Sequence, residues 1–208
     1  MHLMELQSVY SLKPRFRASL RGVERAVIAR GINADQVTAA GLACGVGAAM
    51  AILLSATSLL WLLCVPALVL ARLACNALDG MIAVDTNHAR PIGQVANEFA
   101  DRIADVCILI AMSMRAGSPL LGIGTLALVL LTSYLGTAAQ AAGGTRQYIG
   151  VMGKADRMIL LALAAPVAAS GPAGAVLAAV LGVIAAGSAV TIAQRWSAIH
   201  RELTRSVS

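Results

Sequence analysis

Two carboxamides and three carboxylates recur at helical spacing within an otherwise apolar stretch: Asn76 and Asp79, then Asn97, Asp101 and Asp105. Oxygen ligands of this kind suit a hard divalent cation, Mg²⁺ or Mn²⁺. Arg72, Asn76, Asp79 and Ala83 step by four, three and four and share one helix face. Asn97, Asp101 and Asp105 step by four and four and share another. Two facing stripes can hold a cation between them, and Gly80 leaves room for a bulky ligand against the backbone. Glu98 points elsewhere on its helix and joins the set only if the helix start is distorted. The competing reading is that the acids pair with Arg72 and Arg102 and merely fasten two helices.

The elements that must position these groups are membrane helices. The chain has 208 residues, 59% hydrophobic and 12% charged, with a mean hydropathy of +0.79. That is too apolar for a soluble domain and implies an all-α polytopic membrane protein. Ionisable groups inside such helices cost several kcal/mol each, so they read as functional by default. Six segments, 37–56, 59–83, 94–114, 119–140, 156–169 and 173–194, are predicted to span the bilayer. Turn residues separate them at Ser55–Ser58, Arg115–Pro119, Gly143–Gly144 and Ser170–Pro172. Several fall near or below the roughly 20 residues a crossing needs, so their polar ends must reach the interface. Residues 14–30 are predicted to form a basic amphipathic interfacial helix, with Phe16, Leu20, Val23 and Val27 on one stripe and Arg17, Arg21 and Arg25 on another. The other reading of that segment is a solvated basic tail.

Charge distribution sets the expected orientation. Lys13, Arg15, Arg17, Arg21, Arg25 and Arg30 precede the first segment, and Arg195, Arg201 and Arg205 end or follow the last. Arg90 lies between segments two and three, and Arg146, Lys154 and Arg157 between four and five. The positive-inside rule then places both termini, both basic loops and the polar cluster in the cytoplasm of a bacterial-type inner membrane. The expected organisation is a cytoplasmic N-terminal segment (1–35), a six-helix transmembrane catalytic domain (36–195) and a cytoplasmic tail (196–208). No cleavable signal peptide is expected, because roughly the first 35 residues are polar and basic. The net charge of +6 is explained by the membrane, and no nucleic-acid partner is expected. Cys44, Cys64, Cys75 and Cys107 are expected to be buried free thiols. His2, His88 and His200 are expected at the surface, and Trp61 and Trp196 as interface anchors.

The polar stretch resembles the signature of the CDP-alcohol phosphotransferase (CDP-alcohol phosphatidyltransferase) family, Asp-x2-Asp-Gly-x2-Ala-Arg-x8-Gly-x3-Asp-x3-Asp. Here it reads Asn76-x2-Asp79-Gly80-x2-Ala83-Val84-x8-Gly93-x3-Asn97-x3-Asp101, with every spacing kept. Asn76 and Asn97 replace the first and third aspartates, and Val84 replaces the arginine. A bacterial branch of the family resembles this chain in having the same Asn-x2-Asp-Gly and Asn-Glu-x2-Asp pattern. Residues 31–38 are similar to the family's entry into its first span, and residues 146–157 to its basic loop before the fifth. The resemblance thus covers most of the chain.

The resemblance implies a divalent-metal-dependent transferase of phospholipid biosynthesis. It would move a phosphatidyl, or other substituted phosphate, group from a CDP-linked donor such as CDP-diacylglycerol to a small or lipid alcohol, releasing CMP. Asn76, Asp79, Asn97, Asp101 and Asp105 would hold Mg²⁺ or Mn²⁺, with Glu98 and Asp105 able to restore the charge lost at the two asparagines. Asp101 would be the catalytic base, and Asn76, Gly80, Ala83 and Gly93 would line the donor nucleotide. Arg146, Lys154 and Arg157 would bind a phosphate of acceptor or donor, unless they serve topology alone. Small-residue helix faces and the family likeness favour a homodimer among membrane lipids. The alternative is an inactive or weak relative acting as a lipid-binding or partner subunit. A small transporter is a third reading, disfavoured because the acids lie near one face and no inverted repeat is visible.

Overall fold

The computed structural model describes residues 13–205; side-chain placement is described for residues 16–204. The expected N-terminal stretch 1–12, with His2, and the tail residues 206–208 lie outside the described residues, as do the side chains of Lys13, Arg15 and Arg205. Every regular element among the described residues is helical: α1 (Lys13–Ala29), α2 (Ala34–Leu54), a 3₁₀ segment (Leu59–Cys64), α3 (Val65–Asp85), α4 (Pro91–Ala116), α5 (Pro119–Ala141), α6 (Lys154–Ala169) and α7 (Ala173–Arg205).

Local sequence explains the boundaries. Asn33 caps α2: its Oδ1 accepts from the Gln36 amide at 2.9 Å, and Gln36 Oε1 accepts from the Asn33 amide at 3.0 Å. Pro91 and Pro119 open α4 and α5, where a missing N–H costs nothing. Gly117, at φ 63°, closes α4 in the left-handed conformation that suits glycine.

Four helical stretches are long and apolar enough to cross a membrane: Ala34–Leu54, Leu59–Asp85, Pro119–Ala141 and Ala173–Thr204. The chain is therefore a multi-pass membrane protein. The other two predicted spans differ for separate reasons. Helix α4 is 26 residues long but carries Glu98, Asp101, Arg102 and Asp105. Helix α6 has only 16 residues. Helix α7 runs on to Arg205, so the expected tail from residue 196 is helical as far as it is described.

Helix α2 lies against α3 and α4, and α7 against α5 and α6. Small residues permit the first contact. A Cβ on Gly45 would stand 2.6 Å from the Ala104 Cβ and 3.3 Å from the Arg72 Cδ. Without a hydrophobic drive between helices in lipid, such close approach is what holds them. The core between them includes Ile52, Leu62, Val69, Ile108, Met112 and Leu181. Leu120, Leu163 and Met114 face outward, as lipid-facing side chains do.

Helix α1 packs Leu20, Val27 and Ile28 against Val37, Leu78 and Ile82. This differs from the expected apolar stripe, since Phe16 and Val23 are exposed while Glu24 is buried. The packed face is rotated towards Ile28 because α1 docks on the protein, against α2 and α3. The four cysteines are free, but Cys64 is exposed and the others are only half-buried, contrary to expectation.

Candidate functional site

Helices α3 and α4 bring the two polar stripes together. The Asn76 Nδ2 donates to the Asp101 Oδ1 at 2.9 Å. Asp79 is buried, with the Thr38 hydroxyl of α2 donating to its Oδ2 at 3.0 Å and the Gly80 amide to its Oδ1 at 2.6 Å. Lys154, the first residue of α6, donates to the same Oδ1 of Asp101. Four helices thus converge on one pair of carboxylates. The Asp101 Oδ2 accepts no hydrogen bond among the described residues.

The donor chemistry fits a hard cation. The Asn97 Oδ1 is shielded from solvent and accepts no hydrogen bond among the described residues. A carbonyl oxygen left so costs about 1–3 kcal/mol unless another group meets it. Each oxygen of Asp79 keeps a lone pair beyond its one hydrogen bond. Among the described residues no three His, Cys, Asp or Glu cluster for a metal. A cation here would therefore rest on a mixed set of carboxylates and carboxamides.

Asp105 is placed differently from expectation. Its Oδ1 accepts from the Arg72 Nη2 at 2.9 Å, and its Oδ2 from the Arg157 Nη2 at 2.9 Å, with the Arg102 Nη1 at 3.2 Å. Asp105 and Arg157 are 1% and 3% exposed. A buried guanidinium requires a carboxylate partner, so these arginines claim both of its oxygens. Asp105 is thereby withdrawn from the ligand set, and Arg157 from the phosphate-binding set. For Asp105 the fastening reading holds. Arg72 also donates to the Asp101 carbonyl at 2.9 Å and to the Met158 sulfur at 3.2 Å, so the buried cluster braces the backbone of Asp101.

The remaining expected residues are dispersed around this centre. Arg146 pairs with Glu98 and lies over the Tyr148 ring at 5.3 Å. Glu98 also faces Arg102 at 3.5 Å, which explains its aim away from Asp101. A Cβ on Gly93 would stand 3.7 Å from the Asp35 Oδ1. Ala83 is half-buried, and Val84, at the family's arginine position, points outward. At Gly80 the atom nearest an added Cβ is the Arg17 Nη2, at 3.8 Å. Arg17 has no hydrogen bond or ion pair among the described residues, whereas Arg21, one turn on, is held by Asp85 at 3.3 Å. Sequence reasoning missed Thr38 and Arg17 as neighbours of the site. The four-residue step from Arg17 to Arg21 was the available signal for the second; nothing local marks the first.

Comparison with known proteins adds three findings. No family model matches the chain. The chain is 32% identical over 157 residues to the inner membrane protein YnbA of Escherichia coli, covering 75% of this chain and 78% of that protein. Its backbone superposes on the phosphatidylinositol phosphate synthase PgsA1 of Mycobacterium tuberculosis. The complex with manganese and citrate gives a TM-score of 0.71 at 20% identity, over 87% of this chain and 88% of that one. The structure with CDP-DAG bound gives 0.70 at 22% identity, over 86% and 92%. The chain therefore has the fold of that synthase.

Proposed function

The chain belongs to the same family as the inner membrane protein YnbA of Escherichia coli, and for it we propose a CDP-alcohol phosphatidyltransferase activity. The donor is a CDP-linked lipid such as CDP-diacylglycerol, the acceptor is a small or lipid alcohol, and the products are a phospholipid and CMP. The observation that carries this reading is the junction of Asn76, Asp79 and Asp101 under Lys154. It stands at the family's signature spacing, on the fold of a synthase solved with CDP-DAG bound.

The acceptor oxygen attacks the lipid-linked phosphorus of the donor, and the bond from that phosphorus to the CMP oxygen breaks. Asp101 takes the hydroxyl proton on its Oδ2, the oxygen that Asn76 and Lys154 leave unoccupied. Asp79, Asn97 and Asn76 would hold Mg²⁺ or Mn²⁺, which when bound neutralises charge on the pyrophosphate. Asn76, Gly80, Ala83 and Gly93 border the nucleotide, with the bare backbone at Gly80 as the closest approach. Lys154 and Arg146 supply positive charge to phosphate oxygens.

Helices α4 and α6 complete six crossings in this reading, and both termini, the basic loops and the site face the cytoplasm. The unit is a homodimer. Purified protein supplied with labelled CDP-diacylglycerol, a panel of alcohols and either Mg²⁺ or Mn²⁺ should release CMP. The two asparagines favour one other reading, a partner subunit without activity. Absence of CMP release across the whole panel, with CDP-diacylglycerol still bound, would select it.

A further inference from the structure

We propose that Lys154 is the second positive charge of the site, so that each chain takes one divalent cation and not two. This rests on the activity proposed above and specifies how its metal requirement is met in this chain.

The charges on the page point this way. Asp79 and Asp101 are the two site carboxylates, because Asn76 and Asn97 are neutral and Asp105 is committed to three guanidiniums. The Asp101 Oδ1 already accepts from the Lys154 ammonium and from the Asn76 amide at 2.9 Å. The Arg72 Nη2 stands a further 3.8 Å away from it. A divalent ion brought to that oxygen must displace the ammonium or sit against it and near a fixed guanidinium. A single divalent ion held from Asp79, whose oxygens each accept one hydrogen bond, leaves the Lys154–Asp101 pair in place, and the Asn97 Oδ1 on the facing helix accepts no hydrogen bond among the described residues.

Lys154 is also built into place. The Gly153 amide donates to the Asp156 Oδ2 at 2.8 Å, which fixes the first turn of α6. Three residues after Lys154, Arg157 anchors that turn to Asp105 at 2.9 Å and donates to the Met152 carbonyl at 3.4 Å. The ammonium is thus carried on a fastened helix start, where it can meet a phosphate oxygen of the donor that the metal does not hold.

The test is Mn²⁺ binding to the purified, full-length protein in detergent with CDP present, counted by electron paramagnetic resonance of free Mn²⁺. Wild type should bind one Mn²⁺ per chain. With CDP left out of both samples, Lys154→Met should bind Mn²⁺ about tenfold more tightly than wild type, because a repelling charge has gone. Lys154→Met combined with Asn76→Asp should bind two per chain. Two Mn²⁺ per wild-type chain would overturn the proposal while leaving the transferase reading intact. Unchanged or weaker binding in folded Lys154→Met would also overturn it. No Mn²⁺ on folded wild-type protein would overturn both this proposal and the metal requirement of the proposed activity. The wild-type count needs no variant, so it decides the matter even if Lys154→Met does not fold.

Discussion

Arg72 on α3 and Asp105 on α4 meet at 2.9 Å, each 1% exposed. Arg157 reaches the other oxygen of the same carboxylate from α6. One acid therefore fastens three helices beneath the two site carboxylates. Removing it leaves buried guanidiniums uncompensated, which costs about 3–5 kcal/mol. Asp105→Asn should lose stability on that scale in chemical unfolding from detergent. A loss under about 1 kcal/mol, no more than a single exposed pair gives, would mean that the cluster is not what holds these helices.

Asp101→Asn keeps the shape of the side chain and removes its capacity to take a proton. CMP release should fall by about 10²–10⁴-fold, the usual contribution of a general base. The unfolding midpoint should move little, since Asp101 is at the edge of the buried cluster. Full CMP release by this variant would end the base assignment.

Arg17 tests whether α1 takes part in donor binding. Its guanidinium overhangs Gly80 with no protein partner among the described residues. A charge-assisted hydrogen bond is worth about 1.5–3 kcal/mol, which is roughly tenfold or more in affinity. Arg17→Gln should raise the KM for CDP-diacylglycerol about tenfold and change kcat less than about twofold. Arg25→Gln removes an equal charge from the same helix and should leave both constants unaltered. Equal effects from the two substitutions would assign Arg17 to general attraction for anionic lipid.

Gly45 tests the packing of α2. A valine there would drive its Cβ into Ala104 and crowd the Arg72 side chain. Overpacking of this kind costs about 1–3 kcal/mol. Gly45→Val should be less stable by that amount and should lose activity with it, because Arg72 braces Asp101. Wild-type stability would show that α2 can withdraw without cost.

Chelation addresses the cation directly. Dialysis against EDTA should stop CMP release, and added Mg²⁺ or Mn²⁺ should restore it. Undiminished turnover after exhaustive chelation would remove the metal from the proposed chemistry.

Much of this arrangement was legible in sequence because it depends on local rules. Asn33 with Gln36, Pro91, Pro119 and Gly117 mark helix ends by backbone chemistry alone. The stripe spacings placed Asn76 and Asp101 on helix faces that do meet. What could not be read was the choice among partners at long range. Asp105 shares the face of Asp101, and only the tertiary approach of Arg72 and Arg157 distinguishes a structural acid from a reactive one. Lys154 reaches across 53 positions to Asp101, and no periodicity carries that information. The inward face of α1 differs for the same reason, since Glu24 is buried although an amphipathic pattern assigns burial to Phe16 and Val23.

The Asp105 cluster also makes the packing of its three helices interdependent. Helix α6 is short and carries Arg157 near its start, and a charge buried there without a partner costs several kcal/mol. The acid that offsets this belongs to α4, 52 positions earlier in the chain, and is shared with Arg72 of α3. The α3–α4 pair thus carries the carboxylate without which the Arg157 end of α6 has no counter-charge in its packed position.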